Sequence, residues 1–178
     1  MVPMNRMMAT MQKFAKEVSK IRPRWNLTLW TRVKVRDDYV ECDVSLREYF
    51  RVVATMKCTY FPDWPGILDL SYGQTKKPYE GRGFGKIIRA ACVVAAKKAG
   101  FRTVNQVSTY LNGARPRAGL KPPSAYIMNK LGFNAWSKPA INKNGRIVSL
   151  AYRLNLNKPN SIRPAQSILS PTRRKSST

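Results

Sequence analysis

The 178-residue chain contains no histidine. A histidine base, a histidine-containing catalytic triad and a histidine-ligated metal are therefore excluded. Its three cysteines, Cys42, Cys58 and Cys92, form no close pair in the sequence. They are expected as buried small hydrophobes in a reducing compartment, and no metal site is expected. Acid is scarce as well. There are nine carboxylates, the last of them Glu80, and none from Gly81 to Thr178. Any carboxylate base must therefore come from the first half of the chain. No apolar run is long enough to span a membrane. The Met-rich N-terminus is broken by Arg6, Lys13 and Lys16, which does not fit a secretory signal. Its basic, nearly acid-free composition is compatible with a mitochondrial presequence. The expected location is nevertheless the cytoplasm, or a virion or nucleoprotein particle.

What the chain has in excess is positive charge: 33 Lys and Arg, for a net +24. Nineteen of these lie in the acid-free part after Glu80, whereas the first 80 residues set 14 basic groups against 9 acidic ones. A field of that size calls for an anionic partner, either nucleic acid or an acidic protein surface. Arg115, Arg117 and Lys121 in the loop Leu111–Pro123, and Arg173, Arg174 and Lys175 near the C-terminus, are candidate contacts. Trp25, Trp30, Tyr110 and Trp136 lie among basic residues and are either core aromatics or stacking platforms.

Three regions follow from the patterning. Residues 1–24 carry Met4, Met7, Met11, Phe14, Val18 and Ile21 at alternating spacings of three and four, the seam of an amphipathic helix that stops before Pro23. That Met-rich face, and Met4, Met7, Met11 and Phe14 in particular, either packs on its own domain or docks other subunits of an assembly. Residues 25–156 form the globular part. Trp25–Val35 alternates as a two-sided strand, Tyr49–Phe61 is a long strand, Pro62–Gly66 a turn and Ile67–Tyr72 a short strand. A helix runs from about Phe84 to about Ala99 with a Gly100 stop, then come a strand over Arg102–Thr109, a short helix over Ser124–Phe133 and a strand over Gly145–Leu156. Residues 157–178 have the composition of a disordered basic tail, which could also serve as an assembly contact. The predicted fold class is α/β, with a mixed, largely antiparallel sheet flanked by helices.

The stretch "EGRGFGK", Glu80–Lys86, feeds three glycines into a helix. Free backbone N–H groups and the helix dipole at such a turn favour a phosphate. The stretch lacks the GK[ST] ending of a Walker A loop and the G-x-G-x-x-G spacing of a dinucleotide fingerprint.

Two further segments add to it: "AKKAGF" closing the helix and "SAYIMNKLGF" after the next strand. Together they resemble the GNAT superfamily of N-acetyltransferases, whose turn reads R/Q-x-x-G-x-G/A and whose later helix reads roughly A-x-x-F-Y-x-K-L-G-F. The resemblance covers about Arg51 to Leu154. It implies that the phosphate belongs to coenzyme A or acetyl-CoA, with Arg82, Gly83, Phe84, Gly85 and Lys86 holding the pyrophosphate. It also implies that the strand Ile67–Tyr72 splays from Arg102–Thr109, with the pantetheine arm between them. In the same alignment Glu80 takes the R/Q position and Met128 the place of a frequent tyrosine acid. Glu80 beside a pyrophosphate implies a repulsion on the order of a few kcal/mol unless Arg82 or Lys86 screens it. A thioether cannot donate a proton, and Tyr126 lies on another side of the helix. Asp69 is the one carboxylate placed to act as a base, with a salt-bridged or strand-edge role as its alternative.

Three functions stay open. One is a GNAT-fold protein with altered catalytic positions, serving as a basic structural component of a nucleic-acid-containing assembly. Another is an acetyl-CoA-dependent N-acetyltransferase acting on a protein or nucleic-acid-associated amine. The third is a plain nucleic-acid-binding module.

Overall fold

The computed structural model describes residues 1–23, 26–109, 123–138, 140–141 and 147–170. The helix α1 (Met4–Lys20) comes first, followed by the strands β1 (Leu27–Val35), β2 (Val40–Glu48), β3 (Arg51–Tyr60) and β4 (Ile67–Thr75). A short 3-10 turn, Lys77–Tyr79, leads to α2 (Phe84–Ala99). Then come β5 (Thr103–Thr109), α3 (Pro123–Lys130), the two-residue strands β6 (Asn134–Ala135) and β7 (Ala140–Ile141), β8 (Ile147–Asn155) and α4 (Arg163–Leu169). The sheet runs in the order β1-β2-β3-β4-β5-β8-β6, with β7 also on β8. Every pairing is antiparallel except β4 with β5. This is the mixed, largely antiparallel α/β architecture that the patterning predicts.

Strand β2 is absent from the sequence-based expectation. Its apolar residues Val40, Cys42, Val44 and Leu46 alternate and are buried. Three acidic residues between and after them, Glu41, Asp43 and Glu48, obscure the alternation, because acidic side chains are poor strand formers.

Helix α1 starts after Pro3, whose carbonyl accepts from the N–H of Arg6 and Met7. Met7, Met11, Phe14 and Val18 are fully buried against β1, β2 and α2. Phe14 meets Phe101 edge to face, with ring centroids 6.2 Å apart, and Phe101 does the same with Tyr60 at 5.1 Å. This corrects the subunit-docking expectation for Met7, Met11 and Phe14: burying their side chains in the chain's own core is the lower-energy use of the seam. Met4 is half-buried and packs at the edge of the same core.

Helix α2 is the centre of the fold, buried on nearly every side. It begins at Phe84 and is closed by Gly100 in the left-handed region, φ +98°. There the N–H of Phe101 reaches back to the carbonyl of Ala96 at 3.0 Å, a Schellman closure. The expected tail is ordered over part of its length. Ala165 is buried, Ile162, Ile168 and Leu169 pack on the core, and α4 lies against α2. Enough apolar side chains recur at helical spacing there to offset the ordering entropy. Arg173, Arg174 and Lys175 lie outside the described residues, as do Arg115, Arg117 and Lys121.

All three cysteines are free and buried, and the Sγ atoms of Cys58 and Cys92 are 3.8 Å apart. Burial pushes the Cys42 thiol up to about 12. No described helix is long and apolar enough to cross a membrane.

Candidate functional site

Strands β4 and β5 run parallel and pair only at Ile67 with Thr103, Leu68 with Val104 and Asp69 with Asn105. Beyond Asp69 each strand continues, to Thr75 and to Thr109, without further pairing between them. The two strands therefore part. β4 is also bulged at this point, where Lys57 pairs with Tyr72 and Cys58 with Leu70, leaving Ser71 unopposed.

The glycine turn closes the far end of this opening. Gly81 and Gly83 take φ +77° and +83°, which an L side chain enters only with strain. Lys86 and Ile87 both donate to the Gly83 carbonyl, at 3.1 Å. Among the described residues, no backbone carbonyl accepts from the N–H groups of Gly81, Arg82, Gly83, Phe84 or Gly85. A methyl group added at Gly81 or Gly83 would meet nothing within 4 Å. Donors without a backbone acceptor thus gather at a helix N-terminus, with open space beside Gly81 and Gly83, which fits a phosphate or pyrophosphate.

A groove of about 300 Å³ lies beside the turn, lined in part by Thr75, Tyr79, Gly83, Lys86, Tyr126 and Lys130. Lys86 has no carboxylate partner among the described residues. Arg82 differs from expectation. Its guanidinium forks onto Glu48 at the end of β2, at 2.9 and 3.3 Å, and lies over the rings of Phe84 and Tyr79. It is therefore not the screen for Glu80, which is exposed at the rim of the groove.

Met128 is fully buried beneath α3, while Tyr126, two residues earlier, is half-exposed and faces the groove. Helical geometry turns adjacent-but-one residues to opposite sides. The tyrosine that α3 contributes to this groove thus comes from a position the family alignment does not select.

Asp69 sits at the last β4–β5 pair, and its Oδ2 accepts from the Ser71 hydroxyl at 2.8 Å. Burial raises its carboxyl above the usual range, and the Ser71 hydrogen bond opposes that. No ion pair holds it among the described residues.

Arg89 is the residue that the sequence did not single out. It is 6% exposed, and its Nε donates to Gln106 Oε1 at 3.2 Å and its Nη1 to the Gly85 carbonyl at 2.9 Å. A methyl on Gly73 would lie 2.9 Å from its Nη2, so the guanidinium fills the space between β4 and the first turn of α2. Desolvation lowers it to about 10, and it still carries its proton at neutral pH. The available signal was one arginine in the otherwise apolar run Ile87–Ala96. The buried Ser108 hydroxyl on the same side of β5 has no hydrogen-bond partner among the described residues. Among the described residues no cluster of metal-binding side chains occurs.

No protein-family model matches the sequence, and no curated protein matches it either. Solved structures do match. The ribosomal-protein-S18-alanine N-acetyltransferase of Escherichia coli aligns over 70% of this chain and 74% of its own, with a TM-score of 0.51 and 15% identity. A Bacillus subtilis acetyltransferase in complex with CoA aligns over 72% of this chain and 98% of its own, with a TM-score of 0.52 and 10% identity. A chain from Desulfovibrio desulfuricans assigned to the GNAT family of acetyltransferases aligns over 65% and 69%, with a TM-score of 0.50 and 18% identity. The protein has a GNAT-like fold.

Proposed function

We propose that the cleft between β4 and β5 binds coenzyme A or its acyl thioester, and that the protein is an acyl-CoA-dependent N-acetyltransferase. The observation that carries this reading is the row of unpaired N–H groups from Gly81 to Gly85 at the mouth of the strand opening. Those donors and Lys86 would hold the pyrophosphate. Arg89 and Gln106 border the opening further in, where they would donate to and accept from the amides of the pantetheine arm. The bound thioester supplies an acyl group already activated toward amines.

The chain's own groups then have distinct tasks. Asp69, with its carboxyl pushed up by burial, accepts a proton from an ammonium acceptor at the point where the strands part. Tyr126 lines the groove and, with Tyr79, is a candidate proton donor on that side. The strand opening aligns acceptor and donor, and positioning alone supplies much of the rate in a two-substrate transfer.

Met128 favours a second reading. Its thioether stands where relatives of this fold often carry a tyrosine, and it is buried in the core. On that reading the chain retains the fold but not the transfer, and serves as a basic component of a virion or ribonucleoprotein assembly.

Isothermal titration with acetyl-CoA and with coenzyme A, followed by an assay for thiol release with amine acceptors, tests both. Micromolar binding with turnover supports the transferase. Binding without turnover of any amine favours the second reading, and no binding overturns the assignment of the cleft.

A further inference from the structure

Helices α1 to α4 lie on one side of the sheet. Leu29, Val44, Cys58, Leu70, Val104 and Tyr152 face them and are buried. The opposite side carries no helix among the described residues, and Val107 of β5, which points that way, is 54% exposed. Three large aromatic residues stand along this open side. Trp30 on β1 is 56% exposed, Tyr72 on β4 is 49% exposed and Trp136 after β6 is 51% exposed.

Each aromatic has a basic neighbour. The Arg47 guanidinium lies 4.4 Å from the centroid of the Trp30 ring, and that of Arg153 lies 4.1 Å from the Trp136 ring. Tyr72 is paired with Lys57 across β3 and β4. Trp30, Tyr72, Arg32, Arg47 and Lys57 line one groove of about 460 Å³.

The charges on this side are unevenly matched. Glu41 is reached by Lys57 at 3.0 Å, Arg36 at 3.5 Å and Lys34 at 3.9 Å, and Asp43 is paired with Lys34. Asp69 accepts from Ser71. Arg32, Arg47 and Arg153 have no carboxylate within ion-pair distance among the described residues, and Arg47 Nε is buried without an acceptor. Arg153 also donates to Asn105 Oδ1 at 3.1 Å. A row of rings alternating with guanidinium groups that have no carboxylate partner among the described residues matches a ligand that alternates flat rings with anions.

We infer that the open side of the sheet is a binding surface for single-stranded nucleic acid, whose bases stack on Trp30, Tyr72 and Trp136 and whose phosphates meet Arg32, Arg47 and Arg153. The inference narrows the anionic partner expected from the net charge to one class and does not rest on the cleft. A duplex keeps its bases stacked on each other and cannot use the rings. An acidic peptide can meet the guanidinium groups but has no bases to offer.

The test is fluorescence anisotropy of the full chain with a 12-nucleotide oligo-dT, the matching dT·dA duplex and poly-glutamate as competitor, over a range of salt. The single strand is expected to bind more tightly than the duplex. W30A, Y72A and W136A should each weaken it about fivefold or more with the salt slope unchanged, and W30F should retain binding. R32Q and R153Q should lower the slope by roughly 0.7 each. Equal affinity for duplex and single strand with no effect of the aromatic substitutions would overturn the inference, as would poly-glutamate displacing the oligonucleotide at equal charge concentration. Variant G83V is expected to lose coenzyme A and keep the oligonucleotide, and W136A the reverse, so the two sites can fail separately.

Discussion

Arg82 and Glu48 form a two-pronged ion pair across 34 residues of sequence, tying the glycine turn to the far end of β2. The pair decides which basic side chain serves the turn. Arg82 is already engaged, while Lys86 lies in the groove with no carboxylate within ion-pair distance among the described residues. Lys86→Ala is expected to weaken coenzyme A binding roughly tenfold, equivalent to about 1.4 kcal/mol. Arg82→Ala should weaken it by less than threefold, and Glu48→Gln should tighten it by releasing Arg82. Titration calorimetry at fixed ionic strength checks all three. A larger loss for Arg82→Ala than for Lys86→Ala would contradict this assignment.

Gly83 sits at φ +83° with open space around it. Gly83→Ala therefore clashes with nothing in the protein but costs about 1–2 kcal/mol of backbone strain. Its methyl also takes up open space beside the donors proposed to hold a phosphate. The expected outcome is a modest drop in Tm together with at least a tenfold loss of coenzyme A affinity. Thermal melts alongside calorimetry separate the two effects, and an unchanged affinity would remove the turn from the binding site.

Asp69 has a native carboxyl raised by burial. The native state therefore holds its proton more tightly than the unfolded chain does. Stability attributable to this residue is greatest in acid, and is lost as pH climbs from the unfolded value through the raised native one. Asp69→Asn should be more stable than the parent chain at pH 7, with the difference fading toward pH 3. Urea midpoints across that range report it. If the residue also takes a proton in catalysis, Asp69→Asn abolishes the rising acid limb of the rate profile while leaving coenzyme A affinity unchanged.

Phe14 is fully buried between α1 and Phe101. Phe14→Ala is expected to cost about 3–5 kcal/mol, seen as a lower urea midpoint. A cost below 1 kcal/mol would mean that α1 is not part of the cooperative core.

Local chemistry made much of this fold readable. The turn at Gly81 and Gly83, the start of α2 at Phe84 and its stop at Gly100 each follow from residues a few positions apart. The parting of β4 and β5 was implied by family resemblance rather than by pattern. What escaped depended on distant contacts. Arg82 finds Glu48 only once β2 is in the sheet, and Arg89 matters only because Gly73 and Gln106 arrive beside it. Trp30 and Trp136 lie far apart in sequence, and the order of the strands places them on one side. The choice between Tyr126 and Met128 is decided by which side of α3 the core occupies.

Helix α1 completes its packing only when a helix distant in sequence has been made. Helix α1 ends at Lys20, and its principal helical neighbour, α2, ends at Ala99. At ordinary rates of synthesis about 80 further residues require on the order of ten seconds. During that interval Met7, Met11 and Phe14 have β1 and β2 to pack against but lack the cover of α2. Newly made protein should accordingly need chaperone protection for longer than a domain of this size whose helices pack on near neighbours in sequence. Moving α1 to the C-terminus by circular permutation should shorten that dependence.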